Sequence, residues 1–332
     1  MRYLIALILL LLPHVCAAED WEDRQLFNEG AEGRPLRVIS STDTVLFAPL
    51  IEDFVAENPL ISIEYLVSST AEIYERVRAS PDAYDVVISS AMDLQLKLAN
   101  DGFALPLDDI PTPPWAQWHD SLFAFTSEPA TIVINRTAFE DQPIPQTRQG
   151  LIEALRERPE TFSGKVGTYD VRQSGLGYLF ATQDARASET FWRLMEVMGS
   201  LDVRLYCCSG EMIRDLADGT ILVAYNVLGS YAALQAEGKD ALEIILPSDF
   251  QTTMMRTVMA LDATQKPQAA ELFVRYLVTG TSQSLETTPL PVLSQLGEGE
   301  QEAIGLDPAL LTYLDVLKRR KFISAWENAV IQ

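Results

Sequence analysis

Apolar and polar positions come in repeating blocks along residues 35–110, and the period changes inside each block. LRVIS is a short apolar run, STDT a polar turn, and VLFAPLIEDFVAEN an amphipathic stretch stopped by Pro59. The first has the length of a strand and the last the period of a helix. ISIEYLV, SST and AEIYERVRAS repeat the order. YDVVI, SSAMD and LQLKLAND, ended by Gly102, repeat it again. Three β-to-α units in series predict a mostly parallel sheet with helices on its faces.

The pattern then changes. PLDDIPTPPWAQW is a proline-rich surface loop, and SLFAFTSEPATIVINR has no helical period, so it predicts an extended crossover into a second lobe. That lobe reads as helix (LIEALRERPETF), strand (GKVGTYD), helix (SGLGYLFATQDA), helix (ETFWRLMEVMG), strand (DVRLYCC), helix (GEMIRDLADG) and strand (ILVAYNV). LEIILPSDFQTTMMRTVMAL is extended again and should cross back. The expected organisation is lobe 1 over residues 35–125 and lobe 2 over 126–250, with 251–332 returning to lobe 1 and ending in helices. Residues 19–34 are acidic and weakly patterned, which predicts a loose segment.

The first eighteen residues fit a cleaved secretory signal. Arg2 precedes the apolar run Leu4–Leu12, and small residues suit cleavage after Ala17 or Ala18. The run falls short of the roughly 20 apolar residues that span a bilayer. An uncleaved tether, or a lipid on Cys16, is the alternative. The net charge of −22 argues against nucleic acid, whose phosphates demand Lys and Arg, and against anionic lipid. A small anionic ligand remains compatible, because a buried site is governed by local dipoles.

Candidate chemistry sits at the carboxyl ends of the predicted strands: Ser40, Ser41 and Thr42; Ser68, Ser69 and Thr70; Ser89 and Ser90. In open α/β sheets ligands bind there, facing helix N-termini whose unpaired N–H groups suit phosphate or carboxylate. Serine and threonine also cap helices anywhere; three clusters on one rim favour a shared site. The second lobe offers Arg172, Ser174 and Gly175 at one turn, Ser209 and Gly210 at another, and Asn226, Gly229 and Ser230 at a third. Arg172 and Arg256 could each clamp an oxyanion bidentately, or pair with nearby Asp170 or Asp249 as surface ions.

Catalysis has little to stand on. His119 is the histidine outside the leader, and G-x-S-x-G, H-E-x-x-H, C-x-x-C and P-loop spacings are absent. No enzyme activity, cofactor or dedicated metal site is expected.

YDVVISSAMDLQLKLANDGFALPL, SEPATIVINR, YDVRQSGLGYLF, DGTILVAYNVLGSYA and RTVMALDATQKPQAAELFVRYLVTGTSQ, in that order, resemble periplasmic solute-binding proteins of ABC transporters. The resemblance covers about residues 35–290. It is to the type II two-lobe fold, in the ferric-iron and phosphosugar branch, most like the phosphoglycerate-transport regulatory type. It implies a monomer in the periplasm with an inter-lobe cleft and two extended hinge crossovers. Ser41, Ser69, Ser90, Ser174, Gly175 and Asn226 would line that cleft. It also implies delivery of the solute to an ABC permease, or engagement of a membrane sensor kinase. The iron receptors use neighbouring tyrosines; here Tyr225 and Tyr231 stand apart, which favours an organic anion, phosphorylated or not, over ferric ion.

Cys207 and Cys208 are adjacent. Consecutive Cα atoms lie about 3.8 Å apart, below the roughly 4.4–6.8 Å usual for a disulfide. A vicinal bridge would therefore be strained and would shape a rim loop. Two reduced thiols packed as small apolar groups are the alternative.

Overall fold

The computed structural model describes residues 21–238, 240–280, 290–291, 293 and 303–331; the leader expected over residues 1–18 lies outside them. In chain order the first lobe contributes β1 (Asp23–Phe27), β2 (Leu36–Ser40), β3 (Ile63–Val67), β4 (Val86–Ser89), β5 (Gln117–Trp118) and β6 (Leu122–Ala124). The second contributes β7 (Glu128–Asn135), β8 (Val166–Tyr169), β9 (Arg204–Tyr206), β10 (Val223–Leu228), β11 (Leu242–Ile245) and β12 (Thr253–Met254). The chain then returns as β13 (Thr257–Ala260). The first sheet runs β1-β3-β2-β4-β13-β6-β5, and the second β11-β7-β10-β8-β9 with β12 on β7. This is the expected two-lobe periplasmic-binding-protein fold, with the chain leaving lobe 1 between β6 and β7 and re-entering between β12 and β13.

In lobe 1, β2 is parallel to both β3 and β4. All three are buried almost throughout, as strands covered by helices on both faces must be. Helices α1 (Thr44–Glu57), α2 (Thr70–Ala79) and α3 (Met92–Asn100) follow these strands directly. The segment expected to be loose instead forms β1, antiparallel to β3 from Asp23↔Val67 to Phe27↔Ile63. Its polar side chains belong to an exposed edge strand, where backbone pairing with β3 supplies the order.

Lobe 2 carries α4 (Arg148–Glu157), α5 (Pro159–Phe162), α6 (Gly175–Ala187), α7 (Thr190–Ser200), α8 (Ser209–Ala217) and α9 (Gly229–Ala236). The single helix expected over LIEALRERPETF is split at Pro159, which has no N–H to continue the ladder. Helix α10 (Pro267–Thr279) returns to lobe 1, starting at a proline and ending at Gly280 in the left-handed region (φ 58°).

The last helix, Val316–Val330, departs from expectation. It docks on lobe 2, burying Phe322, Trp326, Ala329 and Val330 against Phe191, Leu194 and Met198. Gly199 permits this approach, since a Cβ there would lie 2.3 Å from the Ala329 carbonyl oxygen. A 3-10 turn at Pro308–Leu314 next to α3 leads into it. A buried apolar cluster also runs between the lobes, joining Met92 and Leu96 to Leu176 and Phe180.

Candidate functional site

The carboxyl ends of β2, β3 and β4 face those of β8, β9 and β10 across the cleft, and the serine clusters meet there. Ser41, Ser69 and Ser90 from lobe 1 line one cavity with Ser174 and Ser209 from lobe 2. Ser41 Oγ lies 3.3 Å from Ser90 Oγ and accepts the Ser90 N–H at 3.1 Å. Ser69 caps α2 by accepting from the Glu72 N–H, and Ser174 caps α6 by accepting from the Gly177 N–H. Helices α1, α3 and α8 begin at the same place without a side-chain cap.

The lobes touch directly. Thr70 Oγ1 of lobe 1 accepts the N–H groups of Gly175 (2.9 Å) and Leu176 (3.3 Å) at the start of α6. Tyr231 of lobe 2 donates its hydroxyl to Asp43 Oδ1 at 3.0 Å and accepts the Asp43 N–H at 3.1 Å. The hydroxyl-lined space between them is about 30 Å3, against the ~10–15 Å3 that one water requires. It adjoins an outer chamber of about 550 Å3 walled by Glu22, Asp43, Val45, Gly210, Glu211 and Arg214. That is the size of an ordinary small-solute pocket.

Five of the predicted ligand residues do not line this cavity. Arg172 leaves the cleft: its Nε and Nη2 donate to Asp170 at 2.8 and 2.7 Å. Its Nη1 lies 3.6 Å from Glu327, and the guanidinium sits over Trp326. Burial acts to raise the Asp170 carboxyl, but the hydrogen bonds from Arg172 prevail and hold it below its usual value. This arginine clips the last helix to lobe 2. Asn226 is buried, and its amide donates to Asp184 at 2.9 Å. Its φ of 66° marks the irregularity where β10 shifts register against β7. Arg256 is fully buried; it donates to Glu128 through Nε and Nη2 and to Thr42 Oγ1 at 2.6 Å. Glu128 also accepts from Thr126 and Ser230. Thr42 and Arg256 therefore belong to a polar knot joining the two crossovers, one layer below the cavity. Gly175 presents its N–H to Thr70 as described.

Residues not proposed from the sequence complete the wall: Glu22, Asp43, Leu228 and Tyr231, with Arg214 at the mouth; Thr70 of the second hydroxyl cluster joins them. Glu22 was hidden in the segment expected to be loose, and Tyr231 lies one turn into α9. Asp43 stands directly beside the first serine cluster, so adjacency was its signal. Burial, then Asp43, Glu72 and Glu211, push the Glu22 carboxyl up.

Both cysteines line the cavity as free thiols. The two sulfurs lie 3.0 Å apart, and this contact holds the Cys207 thiol below its ordinary value and pushes Cys208 up.

A profile described as bacterial extracellular solute-binding protein matches residues 36–285, which span both lobes and the cleft. The chain belongs to this family. The solute-binding chain superposes with a TM-score of 0.86 on the substrate binding protein of an ABC transporter from Agrobacterium tumefaciens. The two are 31% identical over 93% of this chain and 98% of that one. Two more distant structures share the fold alone. The fructose-6-phosphate-bound periplasmic binding protein AfuA from Actinobacillus pleuropneumoniae gives a TM-score of 0.71 at 16% identity, over 90% of this chain and 98% of that. Iron-bound HitA from Pseudomonas aeruginosa gives 0.64 at 13%, over 90% and 99%. No curated protein sequence matches the chain. The chemistry of the inter-lobe cavity is that of serine hydroxyls and helix starts.

Proposed function

We propose that the protein captures a small organic anion in the inter-lobe cleft, in the periplasm, and hands it to an ABC permease. One observation carries the anion: the N-termini of α1, α2, α3, α6 and α8 converge on one cavity walled by serine hydroxyls. Each helix start carries about half a positive charge, and its first N–H groups have no partner within the helix, so together they favour a phosphate or carboxylate head. Thr70 Oγ1, taking two N–H groups of α6, marks where an anionic oxygen would bind. Asp43, Glu22 and Tyr231 offer acceptors and a hydroxyl, which suits a hydroxylated remainder such as a phosphoglycerate or sugar phosphate.

The periplasmic setting is supported by the family and by the leader pattern at the N-terminus, and family membership favours delivery to a permease over engagement of a sensor kinase. For ferric ion the cavity supplies one tyrosine, Tyr231. Tyr225 is turned away, donating to Asp184 at 2.6 Å and accepting from Arg148 at 2.8 Å.

Thermal unfolding against phosphoglycerates, sugar phosphates, dicarboxylates, phosphate and ferric citrate tests the reading. Binding to the native state stabilises it by about 2.7 kcal/mol at a hundredfold excess over Kd. The expected result is a raised midpoint with an organic anion. A shift with ferric citrate alone would overturn it.

A further inference from the structure

We propose that Cys207, Cys208 and Glu211 form a site for a thiophilic d10 cation, with Zn2+ as the representative ion, on the wall of the cleft. The sulfurs are 3.0 Å apart and Glu211 Oε2 lies 3.9 Å from Cys207 Sγ. One donor atom from each of the three residues falls within 4.8 Å of the others.

The local fold explains the convergence. Side chains of adjacent strand residues point to opposite faces, but these two straddle the end of β9 and the start of α8. Cys208 is the N-cap residue, with φ −146° and ψ 156°, so the chain changes direction between the sulfurs and the next turn of backbone. Glu211 lies in the first turn of α8, three residues beyond Cys208 and on the same side.

Tetrahedral zinc with Zn–S near 2.3 Å and Zn–O near 2.1 Å sets sulfurs ~3.8 Å apart and sulfur to oxygen ~3.6 Å. The sulfur–oxygen separation is already close to that. The sulfurs must part by less than about 1 Å, within reach of a small side-chain rotation. A mutual disulfide must instead close across Cα atoms only about 3.8 Å apart, a constraint that chelation does not impose.

Two sulfur ligands select zinc, cadmium or cuprous ion over magnesium and calcium. As the ion binds, the two thiols lose their protons to solvent. Both sulfurs are half-buried and line the solute cavity, as does Glu22. The fourth coordination position therefore falls to that carboxylate, to water, or to a captured solute. Sequence spacing gave no sign of this site, because adjacent cysteines match no zinc motif.

The test is a Cd2+ titration of the purified chain, reduced with a phosphine and free of solute. It follows the ultraviolet thiolate-to-cadmium charge-transfer band, and Zn2+ is then used to displace cadmium. The expected result is one equivalent bound, with the band abolished in Cys207→Ser and in Cys208→Ser. Affinity should fall at least tenfold in Glu211→Gln, with far-ultraviolet circular dichroism unchanged in all three. Absence of the band, or unchanged affinity in Glu211→Gln, would overturn the site. So would mass spectrometry showing the two sulfurs joined to each other and left joined by the phosphine. No solute enters the titration, so its failure and the failure of the anion reading are separate outcomes.

Discussion

A single methyl group at Gly175 tests whether the lobe contact described here is the binding-competent one. A Cβ at that position would lie 2.8 Å from Leu94 Cδ1, 3.0 Å from Thr70 Oγ1 and 3.2 Å from Ala91 Cβ. All three neighbours belong to the other lobe, and Gly175 is the first residue of α6, where alanine suits the helix. Gly175→Ala should therefore leave each lobe folded and penalise only their approach. Overpacking costs ~1–3 kcal/mol, and displacing Thr70 forfeits up to two hydrogen bonds of ~0.5–1.5 kcal/mol each. Leu94 Cδ1 is a side-chain tip that can yield, so the net penalty on closure is about 2–3 kcal/mol. A ligand that must drive closure then binds roughly 30- to 150-fold more weakly. Calorimetric titration with the solute found in the panel reads the affinity, and small-angle scattering of the unliganded variant reads the lobe separation. Wild-type affinity together with an unchanged scattering curve would refute the reasoning. So would a lowered melting midpoint, which would mean that the methyl damages lobe 2 itself.

Two further outcomes are expected. Burial raises the Asp93 carboxyl from 3.8 to about 7, against the pull of Arg319. The folded chain then keeps a proton that the unfolded chain gives up, so this contribution is complete below about pH 4 and lost as pH rises through 7. It amounts to ~4 kcal/mol at most. Urea unfolding at pH 5 and pH 8 should show the loss, and Asp93→Asn should flatten it; equal slopes in both proteins would refute the assignment. Gly199→Ala places a Cβ 2.3 Å from Ala329 O and 3.0 Å from Val330 Cα, both backbone atoms of the last helix. It should cost about 1–3 kcal/mol and make residues 316–330 protease-sensitive, and an unchanged digestion pattern would count against that docking.

The strand-to-helix units of lobe 1 were legible because each changes period within a few residues, and the serine clusters because they fall where those periods change. Side-chain direction was not legible. Arg172 and Ser174 stand two residues apart, yet one faces the last helix and the other the cavity. The partners that decide this, Glu327 and Trp326, lie more than 150 residues away. Arg256 had the same fate through Glu128. Asn226 was read as a turn residue and proved to be a left-handed kink inside β10. The edge strand β1 carries no alternation, because its side chains are mostly exposed and its order comes from backbone pairing.

The last helix also has a consequence for how the molecule is made. Synthesis runs from the N-terminus at about 5–20 residues per second. The face of α7 formed by Phe191, Leu194 and Met198 therefore emerges more than a hundred residues before the helix that covers it. Throughout that interval lobe 2 presents an uncovered apolar surface, the kind of surface that holdase chaperones recognise. Completion of the second lobe is thus tied to the arrival of Phe322 and Trp326.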